Sequence, residues 1–201
     1  MNFLLRFLLT LTPVISMGFP NQSYATDASN AVTVSVQIVP VQEKDKINYN
    51  AARPLSYEDF SGRPDRANPG VAATHSVISV GSEIQYNQDT FSAQITISVF
   101  MDSNASWMKK EGRNPHVLAH EQLHFDISAY IACLMAEAIK NTAFTRENFK
   151  QQLKDLQQQY MAMREDMQQQ YDRETRHGTI VSEQTAWAEK IKSDFAQHYC
   201  F

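Results

Sequence analysis

Between residues 32 and 39 the chain reads Val-Thr-Val-Ser-Val-Gln-Ile-Val, apolar and polar in alternation, and Pro40 follows. That period of two, with β-branched residues on the apolar beat, predicts a half-buried strand. Residues 40–70 hold Pro54, Pro64, Pro69, Gly62 and Gly70 around Leu55-Ser56-Tyr57-Glu58-Asp59-Phe60, a composition that predicts a loop with at most one short helical turn. Alternation resumes in two runs, Thr74 to Tyr86 and Phe91 to Met101, on either side of Asn87-Gln88-Asp89-Thr90. They predict a hairpin, and with the first strand a small antiparallel sheet.

The period changes after Asn114, which suits an N-cap and precedes Pro115 at the first helical position, where a missing N–H costs nothing. His120, His124, Ile127, Ile131, Leu134 and Ala138 then share one helical face. A second helix carries Phe149, Leu153, Leu156, Tyr160, Met163, Met167 and Tyr171 at steps of three and four and stops near Gly178. The runs Gln157 to Gln159 and Gln168 to Gln170 fall between those apolar steps and read as its wet face. A third helix is expected from Ser182 to His198, with Trp187, Ile191 and Phe195 inward. Strands followed by helices, without repeats, predict an α+β domain: a small antiparallel sheet followed by three helices.

Composition narrows the setting. The first 25 residues carry one arginine, no acid and an apolar run that ends near Ser23-Tyr24-Ala25, the pattern of an export signal; Thr10, Thr12 and Pro13 leave that run short of a membrane span. The expectation is therefore a signal peptide over 1–25, a single domain over 26–201 and an exported protein, periplasmic or extracellular, with no stable membrane insertion after cleavage. Without the leader the chain carries 17 basic and 22 acidic residues, a mild negative charge that speaks against nucleic acid as a partner. Two cysteines, Cys133 and Cys200, are an even count for an oxidising compartment, and a disulfide between them is expected.

The chemistry lies in His120-Glu121-Gln122-Leu123-His124, an H-E-x-x-H pattern on the first helix. Residues four apart sit one above the other on a helix, so the two imidazoles can converge on one Zn2+, and Glu121 beside them can serve as general base toward a zinc-bound water. Gln122 and Leu123 need only be compatible with a helix. His116 extends the series, but His116 and His124 are separated by about 12 Å along the axis, too far to join His120 on one ion. Asp126 falls toward the opposite face. Ile127 and Tyr130 stand where the Gly and His of a metzincin tail would be, which excludes that pattern.

Leu55 to Gly62 (LSYEDFSG), Ser106 to Lys109 (SWMK), His120 to Asp126 (HEQLHFD) and Tyr171 to Gly178 (YDRETRHG), followed by Gln184 and Trp187, together resemble a bacterial family of predicted secreted zinc-dependent proteases. The resemblance implies export and peptidase chemistry on a peptide or protein substrate; it names no substrate more closely.

Two histidines leave a third protein ligand to be found. We expect His177, which precedes Gly178 at a helix end and lies in the second dense polar motif of the resemblance, with Tyr171 and Asp172 nearby and Tyr171 a candidate oxyanion donor. A straight helical hairpin turning near Ala143 would instead put Asp166 level with His120 and carry His177 about 16 Å too far. Glu165 and Glu174 therefore stay open as alternatives. Two functions follow: a zinc-dependent metallopeptidase with His120, His124 and His177 as ligands and Glu121 as base, or a non-catalytic exported module whose zinc site holds helices together or supports partner binding.

Overall fold

The structure, a computed structural model, describes residues 32–86, 90–198 and 200. The expected leader over 1–25 and the tip of the hairpin at Asn87-Gln88-Asp89 lie outside the described residues. The elements are β1 (Val32–Ile38), β2 (Lys46–Asn48), β3 (Ala72–Ala73), β4 (Ser76–Tyr86), β5 (Phe91–Asp102), β6 (Trp107–Met108), α1 (Pro115–Asn141), α2 (Phe149–Thr175) and α3 (Val181–Phe195). The fold is α+β, as the pattern predicts.

β5 is the centre of the sheet, and its apolar run from Val99 to Met101 is buried because both faces are covered. β4 pairs antiparallel along nearly all of it, from Tyr86 opposite Phe91 to Ser76 opposite Met101. The other edge of β5 is shared end to end: β1 runs parallel to it from Phe91 to Ile97, and β2 antiparallel from Phe100 to Asp102. The sheet is thus mixed, not wholly antiparallel. Residues 39–90 separate β1 from β5, a connection long enough for the chain to cross over and enter β5 from the same end. β2 sits in the stretch expected to be loop, and β3 pairs with β6 in a separate two-stranded ribbon.

α1 lies between the sheet and the other two helices and is buried almost all round. Phe125, Ala129, Ala132 and Ala136 pack with the sheet, whereas Leu123, Ile127 and Ile131 pack with Tyr171, Trp187 and Ile191. A helix apolar on two faces belongs in the middle of a fold. Its start is fixed by Asn114, whose Oδ1 accepts from Val117 N at 3.0 Å, with Pro115 at the first position. Its second half is tied to the C-terminal segment by a Cys133–Cys200 disulfide, the expected pair.

The LSYEDFSG stretch is clamped to this helix. Leu55 N donates to Gln122 Oε1 at 2.6 Å, so Gln122 has a structural task beyond helix compatibility. Gly62 passes so close to the carbonyls of Asn104 and Ser106 that a Cβ there would stand 2.6 Å from both oxygens. No helix among the described residues is long and apolar enough to cross a membrane.

Candidate metal centre

His120 and His124 leave α1 one turn apart on the side that faces α2, and their Nε2 atoms come within 3.1 Å of each other. Asp172, near the end of α2, brings Oδ1 to 3.2 Å from His120 Nε2 and 3.1 Å from His124 Nε2. Three electron-pair donors thus form a nearly equilateral triangle. Ligands bonded tetrahedrally to zinc at about 2.0–2.1 Å stand roughly 3.3 Å apart, so the triangle has the dimensions of one face of such a site.

The carboxylate and the imidazoles attract one another at that point. Burial alone would raise the Asp172 pKa, yet the two imidazoles outweigh it and hold the carboxyl well below the usual range. Burial alone would lower His124, yet its contact with Asp172 and the charge of Glu121 raise it. The two shifts are the two sides of one attraction, between the Asp172 carboxylate and the imidazoles it faces. Asp172 Oδ1 is buried and accepts no well-formed hydrogen bond among the described residues. The donor set fits Zn2+ by atom type, spacing and charge.

Neighbouring groups orient the ligands. His124 Nδ1 donates to Gln168 Oε1, and Gln168 Nε2 donates back to His124 O at 2.8 Å, which leaves the His124 Nε2 lone pair aimed at the triangle. Tyr171 is fully buried behind the pair, stacked on His120 at 4.7 Å between ring centroids and edge-on to His124 at 5.0 Å. It does not line the cavity in front of them. The oxyanion role expected for it has no support in that position; it is a wall against which the imidazoles rest.

The end of α2 closes over His120. Arg176, His177 and Gly178 all have positive φ, at 49°, 52° and 78°. Thr175 holds the turn: its Oγ1 donates to Tyr171 O at 2.7 Å and accepts from Gly178 N at 3.1 Å. His116 Nε2 donates to Gly178 O, so this histidine fastens the turn to α1 and is engaged away from the triangle.

Of the four residues singled out in the sequence, the structure brings His120, Glu121 and His124 to one cavity wall, with Glu121 buried. Among the described residues, one group of metal-competent donors mutually within 4.8 Å is His120, His124 and Asp172; a second, Cys133, Glu137 and His198, has its sulfur tied up in the disulfide. His177 stands at the rim, its side chain 80 % exposed and its Nδ1 3.6 Å from Asp172 Oδ1. Glu174 accepts from Trp187 Nε1 at 2.7 Å, and exposed Glu165 accepts from Gln169 at 2.8 Å. The level of α2 against α1 explains the preference for Asp172. Residues 142–148 form a connection longer than a turn at Ala143, so counting 21 residues back from Asn141 to His120 and 21 on from Phe149 arrives at Gln170.

Residues 73–178 match the family described as Bacterial protein of unknown function (DUF922), more than half of the chain. The chain belongs to this family. The matched segment begins at β3 and ends on Gly178, so the DUF922 region contains the whole triangle, Glu121 and the turn that covers His120. Neither a curated protein nor a solved structure matches the chain.

The cavity in front of the triangle has a volume of about 720 Å³. Residues 68–74 form its far wall, and Arg164, Gln168 and Asp172 line it from α2. Lys109 N donates to Val71 O at 2.8 Å, which holds that wall to the segment leading into α1.

Proposed function

We propose that this DUF922 protein is an exported zinc-dependent metallopeptidase in which His120, His124 and Asp172 hold the metal and Glu121 is the general base. The observation that supports it best is the coincidence, in one cavity large enough for several residues of peptide, of a three-donor triangle and a buried carboxylate on the residue adjoining the first ligand. Bound zinc would supply Lewis acidity, making water a competent nucleophile near neutral pH and polarising a carbonyl. The chain's own part is positional. Gln168 and Tyr171 fix the imidazoles, Asp172 contributes negative charge, and Glu121 accepts the proton from the attacking water and returns it to the leaving amine. Export is supported by the Cys133–Cys200 disulfide, a bond that persists in oxidising compartments, and by the leader pattern of the sequence, which leaves residues 26–201 as one mature domain.

His177 supports a second reading. Its Nδ1 is one contact beyond Asp172, and a histidine this exposed can turn inward as a further ligand. Four protein ligands would close the site and suit a non-catalytic module; three leave a position for substrate. Metal analysis with a peptide-library digest by wild type and Glu121→Gln tests the peptidase. The variant is expected to keep zinc and to lose about 10²- to 10⁴-fold in hydrolysis, the usual contribution of a general base. Equal activity would overturn the assignment of Glu121.

A further inference from the structure

Arg164 lies on α2 two turns before Asp172 and lines the same cavity. Its guanidinium is half-buried and firmly held: Nε donates to Ser128 Oγ at 3.0 Å, and Nη2 donates to the Ser76 carbonyl at 2.8 Å and to Ser76 Oγ at 3.4 Å. Ser76 and Ser128 are themselves joined at 2.7 Å. Every one of these partners is neutral. Among the described residues no carboxylate lies within ion-pair distance of Arg164, and Nη1 makes no hydrogen bond. Glu165, next in the chain, is exposed and engages Gln169 instead.

Burial presses the arginine's pKa downward and the charge of neighbouring Glu165 offsets this only in part, so the half-buried guanidinium, which has no ion-pair partner among the described residues, is left under-compensated. A bridge between α1, α2 and β4 needs only neutral hydrogen bonds, which an amide side chain could supply. What arginine adds is a permanently charged fork whose remaining nitrogen, Nη1, still has its N–H donors to offer a carboxylate. The fork is also coupled to the metal triangle. Ser128 Oγ, which accepts from Arg164, donates to His124 O at 3.2 Å and accepts from Gln168 Nε2 at 3.2 Å, the amide that orients His124. Eight residues of α2 separate Arg164 from Asp172, about 12 Å along the axis. An extended peptide covers that in about four residues.

We propose that Arg164 is the anion-recognition residue of this cavity and that peptides are held there through a carboxylate within about four residues of the bond presented to His120, His124 and Asp172. The carboxylate is either a C-terminal one or the side chain of Asp or Glu. The proposal rests on reading the cavity as a peptide site.

The test is calorimetric binding to the zinc-loaded Glu121→Gln protein, which prevents turnover, with three hexapeptide pools. One has free C-termini and no acidic residue, one has amidated C-termini and no acidic residue, and one has amidated C-termini and a single Asp or Glu. At least one carboxylate-bearing pool is expected to bind about tenfold or more tighter than the neutral pool, in the range of charged hydrogen bonds. The pool that gains identifies whether the terminus or a side chain is read. Adding Arg164→Gln should remove that preference and leave the neutral pool within about twofold, whereas Arg164→Lys should retain part of it. The pools are compared first on the unaltered arginine, and retained binding of the neutral pool shows that a variant is folded. Equal binding of all three pools, or a preference that survives Arg164→Gln, overturns the proposal and leaves the peptide reading intact. Binding of no pool overturns both.

Discussion

A Cβ placed on Gly178 would stand 3.0 Å from both Cγ and Nδ1 of His120. The turn that ends α2 is therefore packed directly on a metal-competent imidazole, and its φ of 78° is one that side chains rarely adopt. Gly178→Ala should cost about 1–3 kcal/mol in stability for the backbone conformation alone. It should also lower zinc affinity about tenfold or more, because the His120 ring must shift. Chemical denaturation and competition with a chelator measure the two effects. A variant that binds zinc like wild type would show that the contact does not position His120.

The general importance of His-Gly at the end of α2 is legible in the sequence, but the reason for it is not. Read along the chain, the glycine frees His177 to project; in the fold, it lets the backbone approach His120. The same holds for the third donor. Asp172 and His177 lie in one polar motif, and choosing between them requires the level of α2 against α1, which depends on where a connection without strong turn signals begins and ends. Elements with a clear period, namely β1, the β4–β5 hairpin and α1, are readable because burial of one face imposes that period. β2, β3 and β6 are two or three residues long, too short to show one, and the parallel pairing of β1 is set by a crossover that leaves no mark on β1 itself. Arg164 carried no signal at all, since an arginine on a helix's polar stretch is ordinary until its partners are known.

Asp172→Ala, His177→Ala and the double variant separate an open site from a closed one. With three ligands, Asp172→Ala should weaken zinc binding by several orders of magnitude, and His177→Ala should leave it within about threefold. Comparable losses in both single variants would establish His177 as a fourth ligand and favour the non-catalytic module. The readout is competition against a chelator of known affinity, which does not depend on activity.

Two amides support the triangle from behind. Gln168 engages His124 directly, and its replacement by alanine should lower zinc affinity about 10- to 100-fold. Gln184 is less obvious: its Nε2 donates to His116 O at 3.1 Å, while its Oε1 is buried without a partner, as is His120 Nδ1. The two unpaired atoms lie 3.1 and 3.0 Å from the same point beside Gly178, an acceptor and a donor sharing one small space. Gln184→Leu, which keeps the volume and removes the acceptor, should reduce zinc affinity by a similar factor. If it changes only thermal stability, Gln184 serves the His116 clasp and not the metal ligand.

On the other side of α1 from the triangle, Asp126 has its pKa raised, because burial outweighs the hydrogen bonds from Gln122 and Tyr49. Gln122 Nε2 donates to its Oδ1 at 2.8 Å. The sign of the consequence is fixed by linkage. Below the unfolded pKa of about 3.9 both states hold the proton and Asp126 contributes nothing to the pH dependence. Between that value and the raised folded pKa the native state holds more protons than the unfolded chain, so stability falls as pH rises, and the loss is complete above the folded pKa. Asp126→Asn removes the titration and keeps the size and an acceptor for Gln122. Urea midpoints taken from pH 4 to pH 8 should therefore show the variant gaining on wild type as pH increases, whatever the offset between them at pH 4. A difference that stays constant across the series would mean that the carboxylate is already fully solvated in the folded protein, and the burial argued for it would be wrong.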